Sequence, residues 1–154
     1  MTKWTYFDEL KGGERGTTPK VVVTQDMIRR YADLTGDHTP VHVDEVFARS
    51  SHFGGIVAHG LLGLALADGL KTQADLQFPP GASLGWEWDF VKPIYAGDEV
   101  HCIFSVGFLR ETSKPGWGIV HLESTLYNQH GTAVQKGRHK LMILCRADGE
   151  DTNE

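Results

Sequence analysis

Apolar residues recur at helical spacing in the first half of the chain and alternate with polar residues in the second half. Residues 1–19 are mostly polar and carry turn signals, which predicts a lead-in segment. Val21-Val22-Val23 is β-branched and predicts a short strand. Thr24 is a good helix N-cap, and Gly36 is a plausible helix stop. The apolar residues between them, at near-helical spacing, are Met27, Ile28, Tyr31, Ala32 and Leu34.

The most apolar segment of the chain predicts its central helix. From Ala58 to about Gln73 the residues are apolar on nearly every side of a helix, and such a helix is normally buried on most sides. Asp44 can cap a short helix through residues 45–48, and residues 50–55 predict a loop before the long helix.

After Pro79-Pro80-Gly81 the pattern changes to strands. Strict alternation of apolar and polar residues, as at Trp86 and Trp88, indicates a strand with one buried face. The predicted strands are residues 84–90, 100–108, 119–127 and 132–144. Asn128-Gln129-His130-Gly131 is typical of a hairpin turn, and the acidic tail from Ala147 is expected to be frayed.

This element order predicts an α+β architecture in a single domain over residues 1–154. A short strand, then helices, then an antiparallel meander favours one long helix packed against a sheet of about five strands. Such a sheet leaves an edge strand exposed, so we expect dimers that pair edge to edge.

Composition narrows the possible partners and the compartment. The 154 residues carry a net charge of −5 without a basic run, which argues against nucleic acid and anionic membranes as partners. Cys102 and Cys145 lie in apolar runs and are expected to be free, buried thiols. The N-terminus has no signal-peptide pattern, and residues 56–70 are too short to span a bilayer. Cytoplasm is therefore the expected compartment.

Asp37 and His42 flank a proline in the break after the first helix. Across a turn that contains proline, a carboxylate and an imidazole can point into one cleft and share a water as an acid–base pair. In the alternative interpretation, Asp37 only stabilises the turn and His42 is an ordinary histidine. The residues alone leave both interpretations open.

Two further positions, both on the apolar helix, are candidate site residues. Gly60, after His59, comes at the expected helix start, where unpaired amides and the positive end of the dipole suit a developing oxyanion. Alternatively, Gly60 is only a packing glycine. Asp68 either lines the cleft or is a helix-edge charge that faces water.

Other kinds of site have no support in the sequence. The remaining histidines are scattered, so we predict no metal site. We find neither a G-x-S-x-G motif nor a phosphate-binding glycine loop before a helix, and we predict no cofactor.

Three segments resemble the MaoC-like dehydratases and (R)-specific enoyl-CoA hydratases. These segments are Tyr31-x-x-Leu34-Thr35-Gly36-Asp37-x-Thr39-Pro40-Val41-His42 with Ala48 six residues further on, Ile56-Val57-Ala58-His59-Gly60, and Phe90-x-Lys92-Pro93-x-x-x-Gly97-Asp98. They cover most of residues 20–145 in the family's order. The resemblance implies a hot-dog fold, in which an antiparallel sheet wraps a long helix and dimers pair their sheets.

The resemblance also implies an activity and the residues that carry it. A hydro-lyase of this kind reversibly hydrates an enoyl thioester of CoA or acyl carrier protein to the (R)-3-hydroxyacyl thioester, as in fatty acid metabolism. Asp37 and His42 match the catalytic pair, and Gly60 matches the amide donor to the thioester carbonyl. The chain departs from the family at Thr39, where asparagine is usual, and at Asp68, where serine is common.

Two other functions remain open at this point. A hot-dog thioesterase would use the same carbonyl-binding helix end, with water attacking the thioester carbon. A non-catalytic acyl-binding subunit is the third possibility, although the presence of both Asp37 and His42 argues against it.

Overall fold

A computed structural model describes residues 3–146 of the chain. Four α-helices come early: α1 (Gln25–Thr35), α2 (Pro40–Val43), α3 (Glu45–Ser50) and α4 (Gly60–Leu70). The strands are β1 (Arg15–Thr17), β2 (Val21–Val22), β3 (Ala82–Phe90), β4 (Glu99–Glu111), β5 (Trp117–Tyr127) and β6 (Ala133–Leu144). Short 3-10 turns occur at Phe7–Glu9 and Lys71–Gln73. The predicted tail from Ala147 lies outside the described residues.

The strands form a sheet in the order β1-β4-β5-β6-β3, and β2 also pairs with β4. All of these pairings are antiparallel. The meander predicted from the alternating runs is therefore confirmed, together with the α+β architecture. In this order β1 and β3 lie at the two edges.

The sheet has six strands rather than the five that the sequence predicted. The additional strand, β1, lies in the segment expected to be only a lead-in, and it pairs with β4. Gly16 makes this pairing possible because a Cβ at this position would overlap the ring of Phe104, which is fully buried. A single glycine thus lets a polar segment cover a large side chain.

Burial along β4 follows the predicted alternation only as far as a bulge. Val100, Cys102, Phe104 and Val106 are buried, whereas Phe108, expected on the same face, is exposed. The pairing of β4 with β5 shifts register between Val106 and Leu109, and the shift moves the later side chains off the core face.

The helices differ from expectation in two respects. Residues 40–43, predicted as part of a turn, form the single-turn helix α2, which Pro40 can begin because its missing N–H would be unpaired there anyway. Helix α4 is buried on one face only, at Leu62, Gly63 and Ala67. Leu61 on the opposite face is 59% exposed. The prediction of a helix buried on most sides is wrong for the single chain, because the sheet covers only one side.

The core lies between the helices and the sheet. One cluster joins α1, α3 and α4 to the strands, and a second packs the N-terminal segment against β4, β5 and β6. Cys102 is buried and Cys145 is half-buried, and both are free thiols. Among residues 3–146, no helix has the length and apolar character needed to cross a membrane.

We expect Gly16→Ala to destabilise the protein. The added methyl group overlaps the Phe104 ring, and overpacking of this kind costs about 1–3 kcal/mol. Urea unfolding measures the change. Gly69→Ala is the matched control, because a Cβ at Gly69 meets no atom within 4 Å and alanine favours the helix. Equal free energies of unfolding for Gly16→Ala and the wild type would contradict the role given to Gly16.

Candidate active site

A short extended segment joins the elements that carry the predicted site residues. The Val57 N–H donates to the Val41 carbonyl of α2 at 3.2 Å, and the Ala58 N–H donates to the Ile94 carbonyl at 2.8 Å. The segment is therefore fixed on both sides directly before α4 begins. As a result, α2, the helix start and the 94–96 turn meet at one place.

Asp37 lies in the loop between α1 and α2, about half exposed. Its Oδ1 accepts hydrogen bonds from the Thr39 hydroxyl at 2.6 Å and from the Thr39 N–H at 3.1 Å. These two bonds, with smaller contributions from His59 and His42, hold the pKa of Asp37 below its usual value. The carboxylate is therefore ionised at neutral pH and still open to water.

His42 follows on α2, with its ring held in a defined orientation. Its Nδ1 is 2.6 Å from the Val57 carbonyl, which can only accept, so Nδ1 carries the proton. In the neutral ring Nε2 then keeps its lone pair. This hydrogen bond prepares His42 to accept a proton at Nε2.

His59 connects the other parts of the site. Its Nε2 donates to the Asp37 carbonyl at 2.9 Å, and its ring stacks on His42 with centroids 3.8 Å apart. The residue is 4% exposed, and its Nδ1 is buried without a hydrogen-bond partner among the described residues. His59 is also the N-cap residue of α4, so one buried ring links the Asp37 loop, His42 and the helix start.

Gly60 is the first residue of α4, as the sequence predicted for the helix start. Its N–H has no acceptor among residues 3–146, which is expected for the first turn of a helix. The Gly60 carbonyl accepts from Gln135 Nε2 at 2.9 Å, and Gln135 Oε1 accepts from the Trp88 indole at 2.9 Å. The buried Gln135 thus anchors the helix start to β6.

His42 and Gly60 line one cavity of about 410 Å³. Its wall is mainly apolar and includes Val41, Phe53, Val57, Ala58, Phe90 and Ile94. A Cβ on Gly60 would lie 2.9 Å from the Phe90 ring, so glycine leaves space between the helix start and β3. Asp37 is not part of the cavity wall, but its carboxylate and a ring nitrogen of His42, which does line the cavity, lie within 4.8 Å of each other.

Asp37, His42 and His59 also form a group that is close enough to hold a metal ion. Their possible ligand atoms lie within 4.8 Å of one another. The spacing of Asp37, His42 and His59 along the sequence gave no sign of this cluster. Each ring already uses one nitrogen to donate to a carbonyl, and the remaining nitrogen of His59 is buried. The prediction that the site works without a metal stays a prediction.

Asp68 is not part of this site. Its carboxylate pairs with Lys71 at 3.2 Å, it lines a different cavity, and it is not among the groups that shift the pKa of Asp37. Neither sequence interpretation of Asp68 describes this arrangement in full. It is a partly exposed carboxylate at the far end of α4 with a buried lysine as its partner.

Sequence reasoning missed three residues that support the site. Thr39 was noted only as a departure from the family, yet its hydroxyl holds Asp37. His59 was considered only as the neighbour of Gly60, although a histidine before an apolar helix is an unusual buried polar residue. Gln135 is buried in β6, but the polar residues that follow it in the sequence give no signal of this burial.

Comparison with known proteins identifies the same family that the sequence motifs resemble. Residues 7–126 match the family described as MaoC like domain. Protein MaoC of Klebsiella aerogenes is 35% identical over 96 residues, which are 62% of this chain and 28% of that protein. The (R)-specific enoyl-CoA hydratase of Aeromonas caviae is 34% identical over 112 residues, which are 71% of this chain and 78% of that enzyme. The chain thus spans only a minor part of Protein MaoC but most of the hydratase.

Solved structures support the same relationship. The crystal structure of the MaoC-like dehydratase from Rhodospirillum rubrum has a TM-score of 0.83 and 28% sequence identity to this chain. The alignment covers 93% of this chain and 99% of that protein. The predicted hot-dog fold, with its antiparallel sheet and central helix, is therefore confirmed. The chain belongs to the MaoC-like dehydratase family.

Proposed function

We propose that the protein is a hydro-lyase that reversibly hydrates the double bond of an enoyl thioester to give a 3-hydroxyacyl thioester. The observation that carries the proposal is the hydrogen bond that fixes the orientation of the His42 ring and the position of its proton. Its Nδ1–H is bound to the Val57 carbonyl, and its Nε2 is left as a base beside the ionised Asp37. A water molecule between the two side chains is thereby oriented for proton transfer.

The chemistry follows from these two side chains. His42 Nε2 takes a proton from the water while Asp37 accepts the second water proton as a hydrogen bond. The resulting hydroxide adds to C3 of the enoyl group, and the π electrons move toward the thioester carbonyl. His42 then returns the proton to C2, which regenerates the neutral ring and completes the addition of water.

Gly60 is proposed to stabilise the charge that forms on the thioester oxygen. Its N–H, which has no acceptor among residues 3–146, lies at the positive end of the α4 dipole and at the wall of the cavity that His42 also lines. A donor placed at a developing oxyanion lowers the barrier because the interaction strengthens in the transition state.

The relatives support this chemistry and suggest its stereochemistry. The Aeromonas caviae relative is named an (R)-specific enoyl-CoA hydratase, which favours the (R)-3-hydroxy product for this chain as well. A mainly apolar cavity fits the acyl part of such a thioester. CoA and acyl carrier protein are the two carriers that we propose.

We further propose that two copies pair through the free edge of β3. This strand ends the sheet and carries the exposed side chains of Leu84 and Phe90. An exposed strand edge with apolar side chains favours pairing with another strand. We expect light scattering to give about twice the 17.1 kDa chain mass, and Leu84→Glu to shift the protein toward the monomer. A wild-type protein that stays monomeric at all concentrations would exclude this dimer.

Asp37→Asn and His42→Ala are expected to lower hydration of crotonyl-CoA by about 100-fold or more, because each removes one half of the acid–base pair. The loss of absorbance of the conjugated double bond measures hydration. Release of free thiol, followed in the same samples, would instead indicate a thioesterase.

A second Asp–His pair in the chain provides the control. His38 Nε2 is 2.9 Å from Asp33 Oδ1 on the exposed side of the same region, and neither residue lines the cavity of His42. Asp33→Asn and His38→Ala should leave the hydration rate within about twofold of the wild type, as expected for surface changes. Equal losses of hydration rate in the variants of both Asp–His pairs would refute the assignment of Asp37 and His42 as the catalytic pair. An unchanged rate in Asp37→Asn would refute it as well.

Thr39→Val is expected to raise the pKa of Asp37 toward its ordinary value. The hydroxyl stabilises the charged carboxylate, so its removal favours the protonated form. Titration of the Asp37 carboxyl carbon by NMR measures the change, and the acid limb of the hydration rate should move to higher pH with it. Thr39→Ser keeps the hydroxyl and should leave the pKa low. An unchanged pKa in Thr39→Val would show that the hydroxyl does not hold Asp37 in solution.

A further inference from the structure

A buried glutamine on β6 has no part in the acid–base chemistry proposed for Asp37 and His42. Gln135 is 2% exposed and lies between the sheet and the start of α4. Its side chain makes two hydrogen bonds of 2.9 Å, one from the Trp88 indole and one to the Gly60 carbonyl. Burying an amide is costly unless its polar atoms have partners, so a glutamine in this core position points to a role that an apolar side chain could not fill.

The chemistry of the two partners fixes the orientation of the Gln135 amide. An indole nitrogen can only donate, so the amide atom that faces Trp88 is the oxygen. A backbone carbonyl can only accept, so the atom that faces Gly60 is the nitrogen. An amide nitrogen carries two hydrogens, and only one of them is used by Gly60. The second N–H has no acceptor among residues 3–146.

Two glycines make room for this arrangement. A Cβ at Gly63 would lie 2.4 Å from Gln135 Nε2, so the amide rests directly against the backbone of α4. A Cβ at Gly137 would lie 2.7 Å from the Trp88 ring, so glycine at this position of β6 leaves space for the indole. The amide is therefore held between the helix and the indole. A rotation that turned its nitrogen away from the helix would break both hydrogen bonds.

Gln135 lines the same cavity of about 410 Å³ as His42 and Gly60. Most of this wall is apolar, and its polar side chains are those of His42, Lys92 and Gln135. Lys92 is exposed to water, whereas Gln135 is buried. A buried N–H without an acceptor is unfavourable, and an oxygen of a ligand in the cavity would remove this cost. The amide thus offers a second hydrogen-bond donor close to the helix start.

We propose that the second N–H of Gln135 donates to the thioester carbonyl oxygen, together with the N–H of Gly60. This inference rests on the hydration proposed above and adds a residue to it. The thioester oxygen gains negative charge as water adds at C3, and a carbonyl oxygen has two lone pairs, so it can accept from both donors. Donors held in place before the reaction stabilise this charge without reorganisation. Gln135 stays a neutral donor throughout and keeps both of its protons.

Gln135→Met removes the donor and nearly keeps the length of the side chain. We expect kcat for hydration of crotonyl-CoA to fall by about 100-fold, because the loss of one oxyanion donor costs about 10²–10³ in kcat. KM should change much less, since the interaction strengthens in the transition state. Gln129→Met is the matched control and should stay within about twofold of the wild type. The Gln129 amide also makes two hydrogen bonds, from the Glu99 N–H at 3.1 Å and to Asp98 at 2.8 Å, but it lies outside the cavity.

A second measurement separates donation to the ligand from a purely structural role. Butyryl-CoA has no double bond to hydrate, and a ¹³C label at its thioester carbon reports hydrogen bonding to the carbonyl oxygen by NMR. Each hydrogen bond to the oxygen deshields this carbon, so the resonance should move downfield on binding to the wild type. The displacement should be smaller in Gln135→Met and unchanged in Gln129→Met. A lower kcat with the full displacement in Gln135→Met would show that the amide does not contact the oxygen, and would overturn the proposal.

Thermal unfolding establishes that each variant is folded. If Gln135→Met does not fold, Gly63→Ala takes its place, because the added methyl group displaces the amide, and Gly69→Ala is its control. An unchanged kcat in the folded variant would refute the role of Gln135. A wild-type protein that binds butyryl-CoA but does not hydrate crotonyl-CoA would refute the hydration alone, and the displacement of the carbonyl resonance would still decide on Gln135. No binding of butyryl-CoA would overturn both proposals.

Discussion

The hydrogen bonding of Val57 is the constraint on which the proposed active site depends. The N–H of this residue donates to the Val41 carbonyl of α2, and its carbonyl accepts the hydrogen bond from His42 Nδ1. The next residue is fixed to Ile94, and α4 begins two residues later. The orientation of His42 and the position of the helix start are therefore set by the same few backbone groups. A displacement of this segment would disturb the base and the oxyanion donor together.

Asp37 is positioned by hydrogen bonds rather than by burial, which suits a group that handles water. A buried carboxylate would tend to become protonated, whereas a fully mobile one would lack a defined direction. Thr39 provides two donors to Oδ1 of Asp37, while Oδ2 lies 3.9 Å from His59 Nε2. His59 Nε2 donates a hydrogen bond to the backbone carbonyl of Asp37. The site thus keeps an ionised acceptor in a fixed place while water still has access to it.

Much of this organisation can be predicted from local sequence, and the remainder depends on distant partners. Periodicity identifies α1 and the strand meander, and the residue types at the break identify Asp37, His42 and Gly60. Strand β1 is not predictable in this way. A glycine is needed at position 16 because the ring of Phe104, far along the chain, occupies the space that a Cβ would take. The exposed face of α4 is unpredictable for a similar reason, since an apolar pattern does not tell which sides the sheet will cover. The anchoring of Gly60 by Gln135 likewise joins two elements that are separate in sequence.

The two ends of α4 are electrostatically different, and each is matched by the group placed there. At the amino end, the free amide of Gly60 and the positive dipole favour an oxygen that gains negative charge. At the carboxyl end, Lys71 is the C-cap residue, and the negative end of the dipole favours its cation there. The helix thereby helps to keep a buried lysine charged, although its pKa is lowered. Both ends consequently present hydrogen-bond donors to cavities with mainly apolar walls.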